Sequence, residues 1–309
     1  MQPTVQTRAD LFSESLAERY QKVRKHTEAI CAPLEIEDHL PQPIAEVILN
    51  TSSQEIAKWI AGNDVSVVVT EYGSGDGKKV IKLLRDIVGI AKHCIYRPCD
   101  ISSHALDVLS KRVKAAIPQI NITPIESDYT QNPPSPDLKR RNVSFFLGSN
   151  LGNYSHEDSV NLLKHFRRNL NTGDGLLLGL DLKKDPHIVL AAYNDKAGVT
   201  ADFNLNLLVR MNRELQMNFD LKYFSHYATY SPLTGRAESF LVSTCKQTVT
   251  SKVLDCSFAL DEGETIYIEQ SQKYSFDEIS TLAEESGFTV ENRFLDKNHW
   301  YSVTALQAV

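Results

Sequence analysis

Val65-Ser-Val-Val-Val-Thr70, running into Glu71-Tyr-Gly73-Ser-Gly75-Asp-Gly77 and then into Lys79 to Ile87, is the stretch on which the fold turns. The first six residues are a β-branched run with the length and composition of a strand buried in a parallel sheet. Three glycines at alternate positions then let the backbone approach a ligand closely. Residues 79–87 carry the apolar spacing of an amphipathic helix whose first amides point into the crevice. Strand, glycine loop and helix in that order open an α/β domain.

The same rhythm continues downstream. Cys94-Ile-Tyr-Arg-Pro forms a second strand ending at Asp100, and Ser102 or Ser103 caps a helix to about Ala116. Further strands are expected at 122–126, 143–147 and 175–180, with a helix at 156–170. Upstream, Leu11, Leu16, Tyr20 and Val23 give residues 9–30 a helical pattern. Pro33, Pro41 and Pro43 then precede a second helix, 44–61, stopped by Gly62. After Asp181 the pattern changes: 185–217 reads as helix, and strands follow at 223–230, 238–244, 253–259 and 265–274. A helix at 276–285 and a hairpin of 288–294 with 301–306 return to the sheet. This predicts a Rossmann-like domain of residues 48–182 plus 275–309. Residues 1–47 plus 183–274 would form a mixed α+β lobe covering the crevice.

The composition of the 309 residues, 42% hydrophobic and 23% charged, is that of a globular protein with a buried core. Thirty-three basic against 39 acidic residues leave a net charge of −6, which speaks against gripping nucleic acid through its phosphates. The one compact basic run, Lys139-Arg140-Arg141, reads as a solvated loop. No apolar run approaches the roughly 20 residues of a membrane span, and the first ten residues lack a basic-then-apolar leader. Five cysteines, Cys31, Cys94, Cys99, Cys245 and Cys256, are odd in number and include no C-x-x-C pair. That argues against a disulfide framework and a zinc site, and for the reducing cytoplasm.

The glycine loop differs from the dinucleotide fingerprint, because its third glycine stands one place early. Acids end three successive strands: Glu71, Asp100 and, in Ser127-Asp128-Tyr129, Asp128. A carboxylate after the second strand can accept both hydroxyls of a ribose. Asp128 and Tyr129 offer a carboxylate for an adenine amine and a ring to stack on it. Together they favour an adenosyl group lacking a pyrophosphate, S-adenosylmethionine (SAM) rather than NAD. Taken singly, each acid also reads as a helix cap.

Longer motifs follow in order: Phe145-Phe-Leu-Gly148-Ser-Asn-Leu-Gly152-Asn153, Gly179-Leu-Asp181, Ala192-Tyr193-Asn-Asp, Gly198-Val-Thr-Ala-Asp-Phe-Asn204, Asn212-Arg213-Glu214-Leu215 and Ile268-Glu269-Gln-Ser271-Gln-Lys273-Tyr274. The set resembles the histidine Nα-methyltransferases of ergothioneine biosynthesis, from about residue 65 to the C-terminus. The resemblance implies a class I methyltransferase sheet with a second, mixed α+β substrate-binding lobe. It implies SAM held by Gly73, Ser74, Gly75, Lys79, Asp100, Asp128, Tyr129 and Gly148. It implies an amino-acid substrate held by Asn153 at the α-amine and Tyr193 at the carboxylate, the two residues placed at the reacting end. Glu269 and Ser271 would read the imidazole. An Asn amide oxygen can orient an amine and a Tyr hydroxyl can donate to a carboxylate. Methyl displacement from a sulfonium needs alignment more than acid–base help, so no strong general base and no metal is expected. Taken singly, Asn153 also reads as the cap of the following helix, Tyr193 as packing, and Glu269 as a solvent-facing strand residue.

The chain departs from that family at its start. The aromatic-rich segment that usually closes over histidine is replaced by Arg19-Tyr-Gln-Lys-Val-Arg-Lys-His26 and the residues to Pro43. This stretch resembles the opening of the sulfoxide synthases that act on hercynine-type substrates. It stops before their histidine-rich motif, so His26 and His39 are surface or packing residues, with Tyr20 and His26 the candidates for re-entering the pocket. Ser239 stands where the family commonly has a large apolar side chain, which would widen the pocket. Two other readings therefore stay open: a methyltransferase for another amino acid, tryptophan-like or a thiolated histidine, or a catalytically silent SAM-binding relative.

Overall fold

The computed structural model describes residues 41–63 and 66–309. The expected helix at 9–30, with Tyr20, His26, Cys31 and His39, lies outside them. The described residues fall into two units, one within Glu37–Lys183 together with Gln272–Val309, the other Lys184–Ser271.

In the first unit β1 (Ser66–Tyr72) is buried along nearly its whole length, as a Val-rich strand covered on both faces must be. It pairs in parallel with β2 (His93–Asp100) on one side and β5 (Arg141–Phe146) on the other. The short β3 (Asn121–Ile122) and β4 (Ile125–Glu126) run parallel to β2, and β6 (Gly175–Asp181) runs parallel to β5. The C-terminal hairpin of β12 (Phe288–Leu295) and β13 (Tyr301–Ala308) closes antiparallel on β6. The order is β12-β13-β6-β5-β1-β2-β3, with β4 also on β2. Strands are added outward from β1 to β3 and then from β5 on its other side. The reversal puts a crevice at the carboxyl ends of β1 and β5, where doubly wound sheets take their ligands.

Alternate residues of the sheet serve two apolar layers. Val67, Val69, Val143, Phe145 and Leu177 meet α1 (Pro41–Thr51), α2 (Ser53–Ala61), α3 (Ile81–Ile90) and α4 (Ser103–Ala116). Phe146, Leu176, Leu178 and Leu180 meet α5 (His156–Arg167) and, near the C-terminus, the helix Phe276–Glu285. Each fully buried Leu, Ile or Phe contributes roughly 1.5–3 kcal/mol.

Three expectations are corrected here. The helix expected at 44–61 is two helices, broken at Ser52 (φ −100, ψ 12). Ala45, Ile48 and Leu49 of the first are buried in the sheet's core, so residues 41–47 belong to the sheet unit and not to the second lobe. The strand expected at 122–126 is interrupted at Thr123-Pro124, where proline offers no amide to a ladder.

The second unit holds α6 (Pro186–Tyr193) and α7 (Val199–Glu214) rather than one helix over 185–217. Gly198 at φ +77 turns the chain between them, and the Asp195 carboxylate accepts the amides of Val199 and Thr200 at 2.9 and 2.8 Å. A three-stranded sheet has the order β11-β8-β7, with β7 Phe224–Ser231, β8 Arg236–Ser243 and β11 Thr265–Gln272. The strand expected at 253–259 is instead a hairpin, β9 (Gln247–Ser251) with β10 (Cys256–Leu260). The β-branched run Thr248-Val-Thr250 was its signal. Leu208, Phe224, Leu241, Val249 and Leu260 form this unit's core. Numbered in chain order, the helix Phe276–Glu285 is α8. Among the described residues no helix is long and apolar enough to cross a membrane.

Candidate functional site

The loop after β1 is tied to the end of β2. Gly73 and Ser74 donate their amides to Cys99 O at 2.9 and 3.5 Å, and Gly75 donates to Asp100 Oδ2 at 3.4 Å. The glycines do different things. A Cβ on Gly77 would stand 2.7 Å from Leu109 Cγ, so that residue lets α4 pack. A Cβ on Gly75, at φ +58, would meet nothing within 4 Å. That position faces open space and allows a ligand to approach the backbone.

Two polar atoms beside this loop have no hydrogen-bond partner although both are buried: Ser74 Oγ and Glu71 Oε1. Buried polar groups in folded proteins are nearly always paired, and leaving one unpaired costs about 1–3 kcal/mol. Glu71 is fully buried; Tyr96 donates its hydroxyl to Oε2, and Lys79 Nζ lies 3.7 Å from Oε1. Burial raises the Glu71 pKa, partly offset by the Lys79 charge and the bond from Tyr96. An open glycine, an orphan hydroxyl and a lysine beside an orphan carboxylate oxygen suit the amino-acid end of SAM.

Asp100, almost fully buried, accepts the Ser102 amide on Oδ1 at 3.0 Å. The cap of α4 is Ser102, whose Oγ accepts from Ala105 N at 3.1 Å, so Asp100 is not spent as a cap. Asp128 caps no helix either: its Oδ1 accepts from the amide and hydroxyl of Thr130 at 3.0 and 2.6 Å. Tyr129 packs among Tyr72, Phe146 and Phe166, with ring centroids 5.6, 5.9 and 6.2 Å away. Its hydroxyl lies 3.6 Å from where a Gly73 Cβ would stand. Gly73, Ser74, Gly75, Lys79, Asp100 and Tyr129 are thus gathered at the ends of β1 and β2.

At the end of β5, Leu147-Gly148-Ser149 makes the sharp turn. Ser149 holds φ +58, a left-handed conformation rare outside glycine. A Cβ on Gly148 would come 3.2 Å from Asn150 Nδ2. The turn is anchored from below by Tyr301, whose buried hydroxyl donates to Leu147 O at 2.9 Å. Sequence reasoning missed Tyr96 and Tyr301, which carry no motif of their own, and quoted Ser149 within a motif without giving it a role. A 3-10 turn, Asn150–Asn153, then presents Asn153. Its side chain is exposed and makes no hydrogen bond among the described residues. Ser155 caps α5 instead, accepting from Asp158 N at 3.1 Å, so Asn153 is not the helix cap.

In the other unit, half-buried Tyr193 is the last residue of α6, and its carbonyl accepts from His226 Nε2 at 2.9 Å. Glu269 and Ser271 lie on β11, whose in–out alternation stops after Ile268, leaving both half-buried. Ser239, fully buried on β8, donates to Glu269 Oε1 at 3.4 Å. Glu269 is therefore not a solvent-facing strand residue. Among the described residues no three His, Cys, Asp or Glu side chains gather as metal ligands would.

The model of the histidine-specific, SAM-dependent methyltransferase family matches residues 37–308. The chain is 32% identical over 265 residues to the histidine N-alpha-methyltransferase of Mycolicibacterium smegmatis, covering 86% of this chain and 79% of that one. It is 29% identical over 237 residues to the enzyme of the same name from Mycobacterium tuberculosis, covering 77% and 73%. Ergothioneine biosynthesis protein 1 of Neurospora crassa is 28% identical over 253 residues, 78% of this chain and 27% of that much longer one.

Proposed function

The chain belongs to the histidine-specific, SAM-dependent methyltransferase family and is a methyltransferase that takes its methyl group from SAM; from that premise we propose that it methylates the α-amino nitrogen of histidine or a close histidine derivative, in the cytoplasm and without nucleic acid or membrane as partner. SAM supplies an electrophilic methyl group on a sulfonium. The residues that hold it in this reading are Gly73, Ser74, Gly75 and Lys79 at its amino-acid end, Asp100 at the ribose, Asp128 and Tyr129 at the adenine, and Gly148 near the sulfonium.

The observation that carries the substrate assignment is the bond from buried Ser239 to Glu269. A half-buried carboxylate fixed by a neighbouring hydroxyl suits the N–H of an imidazole. An indole N–H could donate to the same carboxylate, but an indole has no second ring nitrogen for Ser271 to bond. Ser271, two residues along the strand, takes the other imidazole nitrogen. In this reading Tyr193 donates to the substrate carboxylate, and the Asn153 amide oxygen accepts from the α-amine so that its lone pair faces the methyl. Alignment supplies much of the rate, and the amine loses its proton to water or a nearby carboxylate.

Incubation with SAM and a panel of amino acids, read by mass spectrometry, tests this. The panel holds histidine, its mono- and dimethyl forms, tryptophan and thiolated histidines. The expected result is a gain of about 14 Da per methyl group on histidine. Product from tryptophan alone would overturn the imidazole reading. SAM binding without product from any amino acid would leave a silent relative.

A further inference from the structure

His226 is claimed by no motif and no role above, yet it ties together three elements of the second unit. Its Nε2 lies 2.9 Å from Tyr193 O, and its Nδ1 lies 3.3 Å from Asn204 Nδ2 on α7. On β7 it pairs with Leu241 of β8, two pairs along from Ala228 opposite Ser239. The hydrogen positions follow from chemistry. A carbonyl can only accept, so Nε2 carries the hydrogen; Nδ1 is then the acceptor, and Asn204 must present its amide nitrogen. With the ring neutral, the network selects the tautomer that carries its hydrogen on Nε2.

Two features show that the arrangement is more than packing. Tyr193 ends α6, so its carbonyl is one of those a helix cannot satisfy from within. His226 supplies the missing donor from a strand, acting as a cap delivered by tertiary structure. Asn204, meanwhile, is almost fully buried and its Oδ1 has no hydrogen-bond partner. A leucine would fit that volume without an orphan atom, so the amide is explained by the bond its nitrogen makes to the imidazole.

We propose that His226, held in its tautomer by Asn204, is a positioning residue for Tyr193: it pins the end of α6 and thereby aims the Tyr193 hydroxyl at the substrate carboxylate. The proposal rests on the reading of Tyr193 given above. Histidine binds against a hydroxyl already in place when the helix end is pinned, and against a fraying terminus when it is not.

A double-mutant cycle on KM for histidine, with SAM affinity measured by calorimetry, tests it. His226→Phe should raise KM about tenfold and leave SAM affinity within about twofold. In a Tyr193→Phe background the same substitution should raise KM by less than about twofold, because the hydroxyl it aims is gone. His226→Gln, which keeps a donor within reach of the carbonyl, should recover most of the loss. If His226→Phe does not fold, Asn204→Leu takes its place, with a smaller KM increase that likewise vanishes beside Tyr193→Phe. Equal factors in both backgrounds, or no change in KM, would overturn the positioning role while leaving Tyr193 in place. A Tyr193→Phe variant with unchanged KM would overturn the reading of Tyr193 and the proposal with it.

Discussion

The proposed donor end and the proposed ring-reading end are built in opposite ways. At the ends of β1 and β2 the groups are placed by backbone: left-handed glycines, amides bonded to Cys99 O and Asp100, and parallel neighbours whose order follows from the strand–helix rhythm. In the second unit they are placed by side chains reaching across elements distant in sequence: His226 to the end of α6, Ser239 to Glu269. A site made of backbone leaves glycines and strand-end acids as its trace in the sequence. A site made of side-chain pairs leaves a serine in one strand and a histidine in another.

The sharpest way to break this contrast is to add one methyl group to a glycine of each unit. A Cβ on Gly179 would collide with the Tyr301 hydroxyl and stand 2.8 Å from Leu147 O, where backbone cannot yield. Gly179→Ala should cost about 3 kcal/mol in urea unfolding. Gly198, at φ +77 with nothing within 4 Å, meets only the torsional penalty, so Gly198→Ala should cost about 1 kcal/mol. Equal losses would mean that the turn after β5, which Tyr301 anchors, adapts to the added methyl group.

Binding should separate the two ends next. Asp100→Ala removes the acceptor of the Gly75 and Ser102 amides as well as the proposed ribose ligand. SAM affinity should fall about 100-fold by calorimetry. Glu269→Ala should raise KM for histidine about tenfold while SAM affinity moves less than about twofold. If Glu269→Ala weakened SAM as much as histidine, Glu269 would lose its ring-reading role.

What the sequence made legible follows the same division. The parallel strands, the helix cap at Ser102 and the final hairpin were readable because period, cap and turn are local signals. The break at Ser52 was not, since a serine inside an apolar pattern reads as helix until packing bends it. The β9–β10 hairpin was missed because its turn, Lys252 to Asp255, holds neither glycine nor proline. Tyr96 and Tyr301 looked like ordinary strand aromatics, and only the partner across the sheet shows what each hydroxyl does.

The smallest expected effect concerns Glu71. Desolvation raises its pKa in the folded state, while Lys79 and Tyr96 recover only part of that penalty. The unfolded chain ionises it at the usual value of about 4.3. Below that value both states hold the proton and the group does not affect stability. As pH rises toward the raised folded pKa, only the unfolded state releases its proton, so stability is lost across that window and stays lost above it. Glu71→Gln removes the loss and still accepts from Tyr96. Its melting temperature should therefore exceed that of the parent at pH 8, on the order of 2 °C, and converge with it near pH 4. The same variant deprives Lys79 of its counter-charge beside the orphan oxygen, so SAM affinity should fall as stability rises. A variant less stable than the parent at pH 8 would show that Lys79 more than repays the burial of Glu71. The carboxylate would then be a structural ion pair, and the donor end would owe as much to paired side chains as the ring-reading end does.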